Sequence, residues 1–181
     1  RRQRQMCIRD RGSKGSRWQR GGGTPAGGTY LACAFKLEGA VSKAQAEFVA
    51  RAVSVASAKK ADALIVDMNT PGGDLGSTLE IMEKLSGFGG LTVCYVNPDA
   101  ISAGSLIAVA CDKIFFSPRG VMGAAEAVGA GGGDIQESMK RKVTSFVGAK
   151  VRAVGPPENP RRAAVQRAMN DPDFELEIGG R

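Results

Sequence analysis

With 181 residues and 43% hydrophobic side chains, the chain has the length and apolar content of one globular domain. Its net charge of +7 would ordinarily point to nucleic acid or an anionic surface, but residues 1–28 hold eight Lys or Arg against the single acid Asp10, and the remainder carries seventeen of each sign. Histidine is absent altogether, which excludes a Ser-His-Asp triad and every His-ligated metal site.

The basic, Gly-rich segment 1–28 has one aromatic residue, Trp18, and no periodicity, so it reads as a solvated extension that is disordered or non-native rather than as a nucleic-acid arm. Its run "MCIRDR" (6–11) has the look of a translated sequencing adapter, and residues before about 24 are expected not to be native. From Thr29 the pattern changes. "TYLACAFKL" predicts a strand, and "KAQAEFVARAVSVASAKK" (43–60) a helix with Ser42 at its N-cap and Phe48, Ala52, Val55 and Ala56 on its apolar face. "ADALIVDM" (61–68) is a short apolar run expected to be a strand buried on both faces, as in a parallel sheet. "NTPGG" breaks it, and "DLGSTLEIMEKLSGF" (74–88) restores a helical period through Leu75, Leu79, Met82 and Leu85. "LTVCYVN" (91–97) predicts a strand, "AGSLIAVAC" (103–111) a helix and "DKIFFSP" (112–118) the last clear strand.

A long helix over 133–155, broken or bent near Gly148, and a shorter one over 161–170 follow, and "DPDFELEIGGR" ends the chain with polar strand character and the expectation of a truncated domain. Strands alternating with helices across short loops define an α/β fold of βαβ units. The expected division is therefore a tail over 1–28 and one α/β domain over 29–181. No stretch reaches the roughly 18 uninterrupted apolar residues of a membrane span, so this piece is expected to be soluble. Cys7, Cys33, Cys94 and Cys111 have no CxxC spacing, and buried free thiols are expected at the three that lie in apolar runs.

Candidate chemistry gathers at two places. Ser102 stands where an apolar strand ends and a small-residue helix begins, so it is either a helix N-cap or a nucleophile at the tip of a turn. The N–H of Ala103, immediately after it, lies at a helix N-terminus, and the glycines of "TPGGD" free another backbone N–H to face a developing oxyanion. Without histidine the base for such a serine has to be of another kind, and lysine is the usual substitute. A lysine neutral near pH 7 has its pKa lowered by about 3 units, roughly 4 kcal/mol of differential energy, and so needs an apolar site. Lys142 falls on a helical stripe with Ile135, Met139 and Phe146, Lys150 is nearly as well placed, and both have the alternative of snorkelling with a wet ammonium; spacing does not choose between them.

Together, "DMNTPGGDLGSTLEIMEKL", "YVNPDAISAGSLIAVACDKIFFSPRGVMGAA" and "KVTSFVGAKVRA" resemble the NfeD-type membrane-associated serine proteases, of the ClpP and signal-peptide-peptidase-A class within the ClpP/crotonase superfamily, from about Tyr30 to the C-terminus. The resemblance implies a ClpP/crotonase-like fold of repeated β-β-α and βαβ units with a mostly parallel sheet. It implies Ser102 of "SAG" as the nucleophile, with Ser105 a weaker substitute, and Lys142 of "KVT" as the base, over Lys150. Gly72, Gly73 and Ala103 become the backbone oxyanion donors, with no metal and no cofactor. It further implies a polypeptide substrate with an apolar segment, a stomatin-like membrane partner, a homo-oligomer, no nucleic-acid role, and a full-length protein held at a membrane with its protease domain extracytoplasmic. Relatives place a substrate-binding loop where this chain has "GAAEAVGAGGGD" (123–134), and the loop before their nucleophile often holds a Gly absent from "NPDAI". Two other functions compete: an inactive scaffold of the same fold assembling with membrane partners, favoured if Lys142 is protonated and exposed, and an acyl-CoA enzyme of the crotonase type, which leaves Ser102 and Lys142 unexplained.

Overall fold

The computed structural model describes residues 5–10, 30–125, 136–154 and 161–170. A six-stranded sheet carries the order β1 (Gln5–Asp10), β2 (Tyr30–Glu38), β3 (Ala63–Thr70), β4 (Leu91–Ile101), β5 (Lys113–Phe116), with β6 (Val121–Gly123) also on β4. From β2 to β6 every pairing is parallel; only β1, at the edge, is antiparallel to its neighbour. The helices α1 (Lys43–Ala58), α2 (Leu75–Ser86) and α3 (Ala103–Ala110) are the crossovers of successive βαβ units, followed by α4 (Glu137–Val154) and α5 (Arg161–Asn170).

The sheet's inward face is set by alternation. Phe35, Val66 and Cys94 stand in register, as do Leu37, Met68 and Val96, and all six are buried. Phe35 also meets Phe48 of α1 edge-on, with ring centroids 5.7 Å apart. The opposite face is not covered to the same degree: Ile65, Asp67 and Asn69 of β3 are half-buried, and Lys36 pairs with Asp67 at 3.5 Å across the strands. The expected two-sided burial of β3 is thus met on one side only. α3 is buried along its entire length, which its uniformly apolar, small-residue sequence permits.

Several elements depart from the sequence pattern. Gln5–Asp10 lies within the segment expected to be disordered, yet it pairs with β2 in a register that opposes Cys7 to Cys33. Cys33, expected as a free thiol, is disulfide-bonded; Cys94 and Cys111 are free and buried. The buried face of α1 runs through Ala46, Val49, Ala52 and Ala56, leaving Val55 exposed. β4 continues through "NPDAI", because Thr70 pairs with Ala100 after a register shift and β6 pairs with Asp99–Ile101. The substrate-loop expectation falls largely on residues 126–135, outside the described residues, as does the C-terminal strand.

Candidate functional site

Strand β4 delivers Ser102 and α3 carries the chain away from it. Between them Ser102 takes φ 52° and ψ −115°, a conformation that L-residues with a Cβ avoid at a cost of about 1–3 kcal/mol. Four hydrogen bonds hold it there. The N–H of Ser102 donates to Gly123 O of β6 at 2.8 Å, and its carbonyl accepts from the Ser105 N–H at 3.0 Å, the Leu106 N–H at 3.4 Å and the Ser105 hydroxyl at 2.6 Å. The Ser102 side chain makes no capping bond to α3, so the N-cap alternative is not the one adopted. A half-exposed hydroxyl on a strained strand-to-helix turn is the arrangement that presents nucleophilic serines. Ser105 is fully buried with its hydroxyl committed to Ser102 O, which leaves it no freedom to act as a substitute nucleophile.

The Gly-Gly turn lies directly against this serine. A Cβ on Gly72 would stand 2.7 Å from Ser102 Cβ and 3.1 Å from its Oγ, and Gly72 has φ +109° besides. Gly73 is pinned on its other side, where an isolated bridge joins it to Val41: the Val41 N–H donates to Gly72 O at 2.8 Å and the Asp74 N–H to Val41 O at 3.0 Å. The Gly72 N–H donates to Thr70 Oγ1 at 3.1 Å, so it is already engaged. Among the described residues the N–H groups of Gly73 and Ala103 have no acceptor. Asp74 then caps α2 by accepting the Ser77 N–H at 2.7 Å, and hydrogen bonding from Ser77 holds its carboxyl below the usual value.

Lys142 is placed differently. α4 packs on α2, α3 and α5, with Val147 and Val151 buried in the core and Val143 and Val154 beside them. At about 100° per residue, Lys142 lies roughly 135° around the helix from the centre of that face. It is exposed, no hydrogen bond joins it to Ser102, and its stripe-mates Met139 and Phe146 are 52% and 48% exposed. The stripe expected to surround a dry lysine is therefore the outer face of α4. The helix has two apolar arcs, and the β-branched one won the core. A surface concavity of about 620 Å³ is lined there by Ser138, Arg141, Lys142, Ser145, Phe146 and Ala149. Lys150 rests its ammonium 5.8 Å from the Phe146 ring centre, the snorkelling arrangement. Ile135 lies outside the described residues.

Other nucleophiles are unsuited. A side-chain hydrogen bond with Cys111, then burial, push the Cys94 thiol well above its usual range, and both sulfurs are shut away from solvent. No three His, Cys, Asp or Glu side chains among the described residues converge as a metal site. Two residues of the turn carry little or no sequence signal: Thr70, marked only by a hydroxyl at the end of an apolar strand just before Pro-Gly-Gly, and Gly123, whose contribution is a carbonyl.

A parallel sheet feeding a strained serine turn, with a Gly-Gly turn pressed against it, defines a ClpP-fold domain. ClpP1 from Listeria monocytogenes superposes with a TM-score of 0.57 at 14% identity, over 81% of this chain and 84% of that one. The membrane-bound stomatin-specific protease 1510-N superposes with 0.64 in a serine mutant, at 21% identity over 79% of this chain and 70% of that one. A lysine mutant of the same protease, in complex with a substrate peptide, gives 0.65 at 22% identity over 79% and 66%. Within that fold the chain belongs to the family of NfeD1b N-terminal domains, which it matches over residues 34–179. The membrane protein NfeD1b of Bacillus subtilis (strain 168) is 33% identical over 145 residues, covering 79% of this chain, which in turn spans 32% of that protein. Among the described residues no helix is long and apolar enough to cross a membrane.

Proposed function

We propose that this chain is the protease domain of a membrane-associated serine endopeptidase that works with a Ser-Lys dyad. The observation that carries the reading is the backbone of Ser102, held at φ 52°, where among the described residues its hydroxyl is uncommitted and the N–H groups of Gly73 and Ala103, in the turns that meet around it, have no acceptor. In this mechanism Ser102 Oγ attacks a peptide carbonyl carbon while its proton passes to the neutral amine of Lys142, and the Gly73 and Ala103 N–H groups receive the oxyanion. Lys142 returns the proton to the leaving amine as the C–N bond breaks. Water then attacks the ester, giving its proton to Lys142, and collapse restores Ser102 and frees the acid. Gly72 contributes room rather than a donor, since its N–H is engaged by Thr70.

Lys142 acts in this way only once it is removed from water and brought within hydrogen-bond reach of Ser102 Oγ. Met139 and Phe146 flank it on an exposed surface that a bound apolar segment, or a second copy in a homo-oligomer, would cover. The substrate is accordingly an apolar stretch of a membrane-associated protein, a stomatin-like one by analogy with the protease of similar fold. The exposure of Lys142 favours a second reading, a non-proteolytic ClpP-fold scaffold that assembles with membrane partners. Intact-mass detection of a fluorophosphonate adduct separates the two. A single adduct lost in Ser102→Ala and greatly slowed in Lys142→Ala supports the protease; no adduct in folded protein supports the scaffold.

A further inference from the structure

We propose that Thr70 is a positioning residue that sets the oxyanion turn, holding Gly72 N–H out of the reaction so that Gly73 and Ala103 are the two donors; this rests on the protease reading above. Thr70 is fully buried at the end of β3 and binds three parts of the site with one side chain. Its hydroxyl donates to Gly39 O in the turn between β2 and α1 at 2.6 Å, and accepts the Gly72 N–H at 3.1 Å. Its methyl occupies the space beside Gly104, two residues after Ser102, where a Cβ would come 2.5 Å from Thr70 Cγ2.

The consequence for the turn follows from peptide geometry. Gly72 O is bound by the Val41 N–H, and in a planar trans peptide the Gly73 N–H points opposite to that carbonyl, away from Val41. The Thr70 and Val41 bonds fix the peptide units on either side of Gly72, so the free donor at Gly73 is oriented before any substrate arrives. Preorganisation of this kind is what makes an oxyanion donor effective. The methyl contact with Gly104 couples the same threonine to the start of α3, which carries the Ala103 donor.

The test uses the full chain, with Thr70→Val, which keeps the shape and removes the hydroxyl, and Thr70→Ser, which keeps the hydroxyl and removes the methyl. Amide hydrogen exchange by ¹⁵N NMR and the rate of fluorophosphonate labelling at Ser102 are both read. In the wild type the Gly72 amide is protected and Gly73 exchanges fast. In Thr70→Val, Gly72 exchange rises roughly tenfold, the effect of one lost hydrogen bond, and labelling slows by about 10²-fold, as for a mispositioned oxyanion donor. Thr70→Ser restores both to within a few-fold. Labelling of folded Thr70→Val at the wild-type rate, or Thr70→Ser as slow as Thr70→Val, overturns the proposal. An unprotected Gly72 amide in the wild type does so with no variant at all. If wild-type Ser102 takes no label, the protease reading falls; exchange alone then decides, and equal Gly72 exchange in wild type and Thr70→Val overturns the positioning role.

Discussion

Gly104→Ala is the substitution that reads the packing of the site most directly, because two effects of opposite sign meet there. In an exposed helix interior, Gly to Ala stabilises by about 1 kcal/mol through backbone entropy. At Gly104 the new methyl meets Thr70 Cγ2 at 2.5 Å, while Ala100 Cβ and Thr70 O lie at a comfortable 3.7 Å. Neither partner has room to yield: Thr70 is fully buried and held by its hydrogen bonds, and α3 is buried on every side. Overpacking of that kind costs about 1–3 kcal/mol, so after the helix-propensity gain the net change is a loss of about 0–2 kcal/mol. Thr70→Ser removes only the clashing methyl and costs about 1 kcal/mol by itself. In the double variant the alanine methyl fills the space the threonine methyl has left and the helix keeps its propensity gain. The two changes together are therefore less damaging than their sum, by a coupling of about 1–3 kcal/mol. Urea denaturation of wild type, both single variants and the double, followed by circular dichroism, closes the cycle. A Gly104→Ala protein more stable than wild type, or additivity within about 0.5 kcal/mol, would refute the packing argument.

The strained serine makes its own prediction: Ser102→Gly is more stable than Ser102→Ala by about 1–2 kcal/mol in urea, since only glycine is at ease at φ 52°, and the reverse ranking would mean the turn is not strained. Ser105→Ala loses a hydrogen bond to Ser102 O and about 1 kcal/mol of stability yet still takes one fluorophosphonate adduct at Ser102, located by peptide mapping; disappearance of the adduct in a folded protein would return Ser105 to candidacy. Gly72→Ala places a methyl against Ser102 at φ +109° and abolishes labelling while costing at least about 1 kcal/mol, whereas full labelling would show that the turn does not bear on the nucleophile. Asp74 gives the pH dependence. Hydrogen bonding from Ser77 lowers its carboxyl in the folded state, so its ionised form contributes stability above the usual value of 3.8, and that contribution fades as pH falls through the lowered folded value. Urea midpoints of wild type and Asp74→Asn, whose side chain caps without titrating, should therefore converge as pH drops below about 4; a gap that widens in acid contradicts the cap.

What could be read from the sequence divides along the range of the interactions involved. β2, β3, α2 and α3 announce themselves through periods of 2 and 3.6 and through turn residues, all of which are local. The serine half of the candidate site is local in the same sense: Ser102, Ala103 and the Gly72–Gly73 turn sit at ends of elements whose identity the pattern fixes. Whether Ser102 caps α3 was not local. It depends on a positive φ held by Gly123, twenty-one residues away, which no pattern at "SAG" encodes. β1 lay hidden because a strand at a sheet edge needs only a backbone partner, and its basic, Gly-rich surroundings mask any alternation.

The lysine half of the candidate site failed to declare itself for a different reason. α4 has apolar residues on two arcs, and a stripe in a sequence says that a face is apolar, not which face meets the core. Val147 and Val151 join the core and Val143 and Val154 pack against it, so Met139, Phe146 and Lys142 turn outward together. That outcome carries its own physical implication. Exposed Met139 and Phe146 on one helix face cost the isolated domain apolar burial of about 25 cal/mol per Å² of surface left in water, and covering them recovers it. The same covering is what a lysine base requires, because desolvation disfavours its charged form. The turn around Ser102 is assembled by the fold alone, while the environment of Lys142 is left for whatever binds α4. Under the proposed dyad mechanism, reactivity at Ser102 is thereby coupled to occupancy of the α4 face: fluorophosphonate labelling of the free chain should be slow, and should rise when an apolar peptide is added at saturating concentration. A labelling rate in the free chain that the peptide leaves unchanged would show that Lys142 needs no such covering, or that it is not the base.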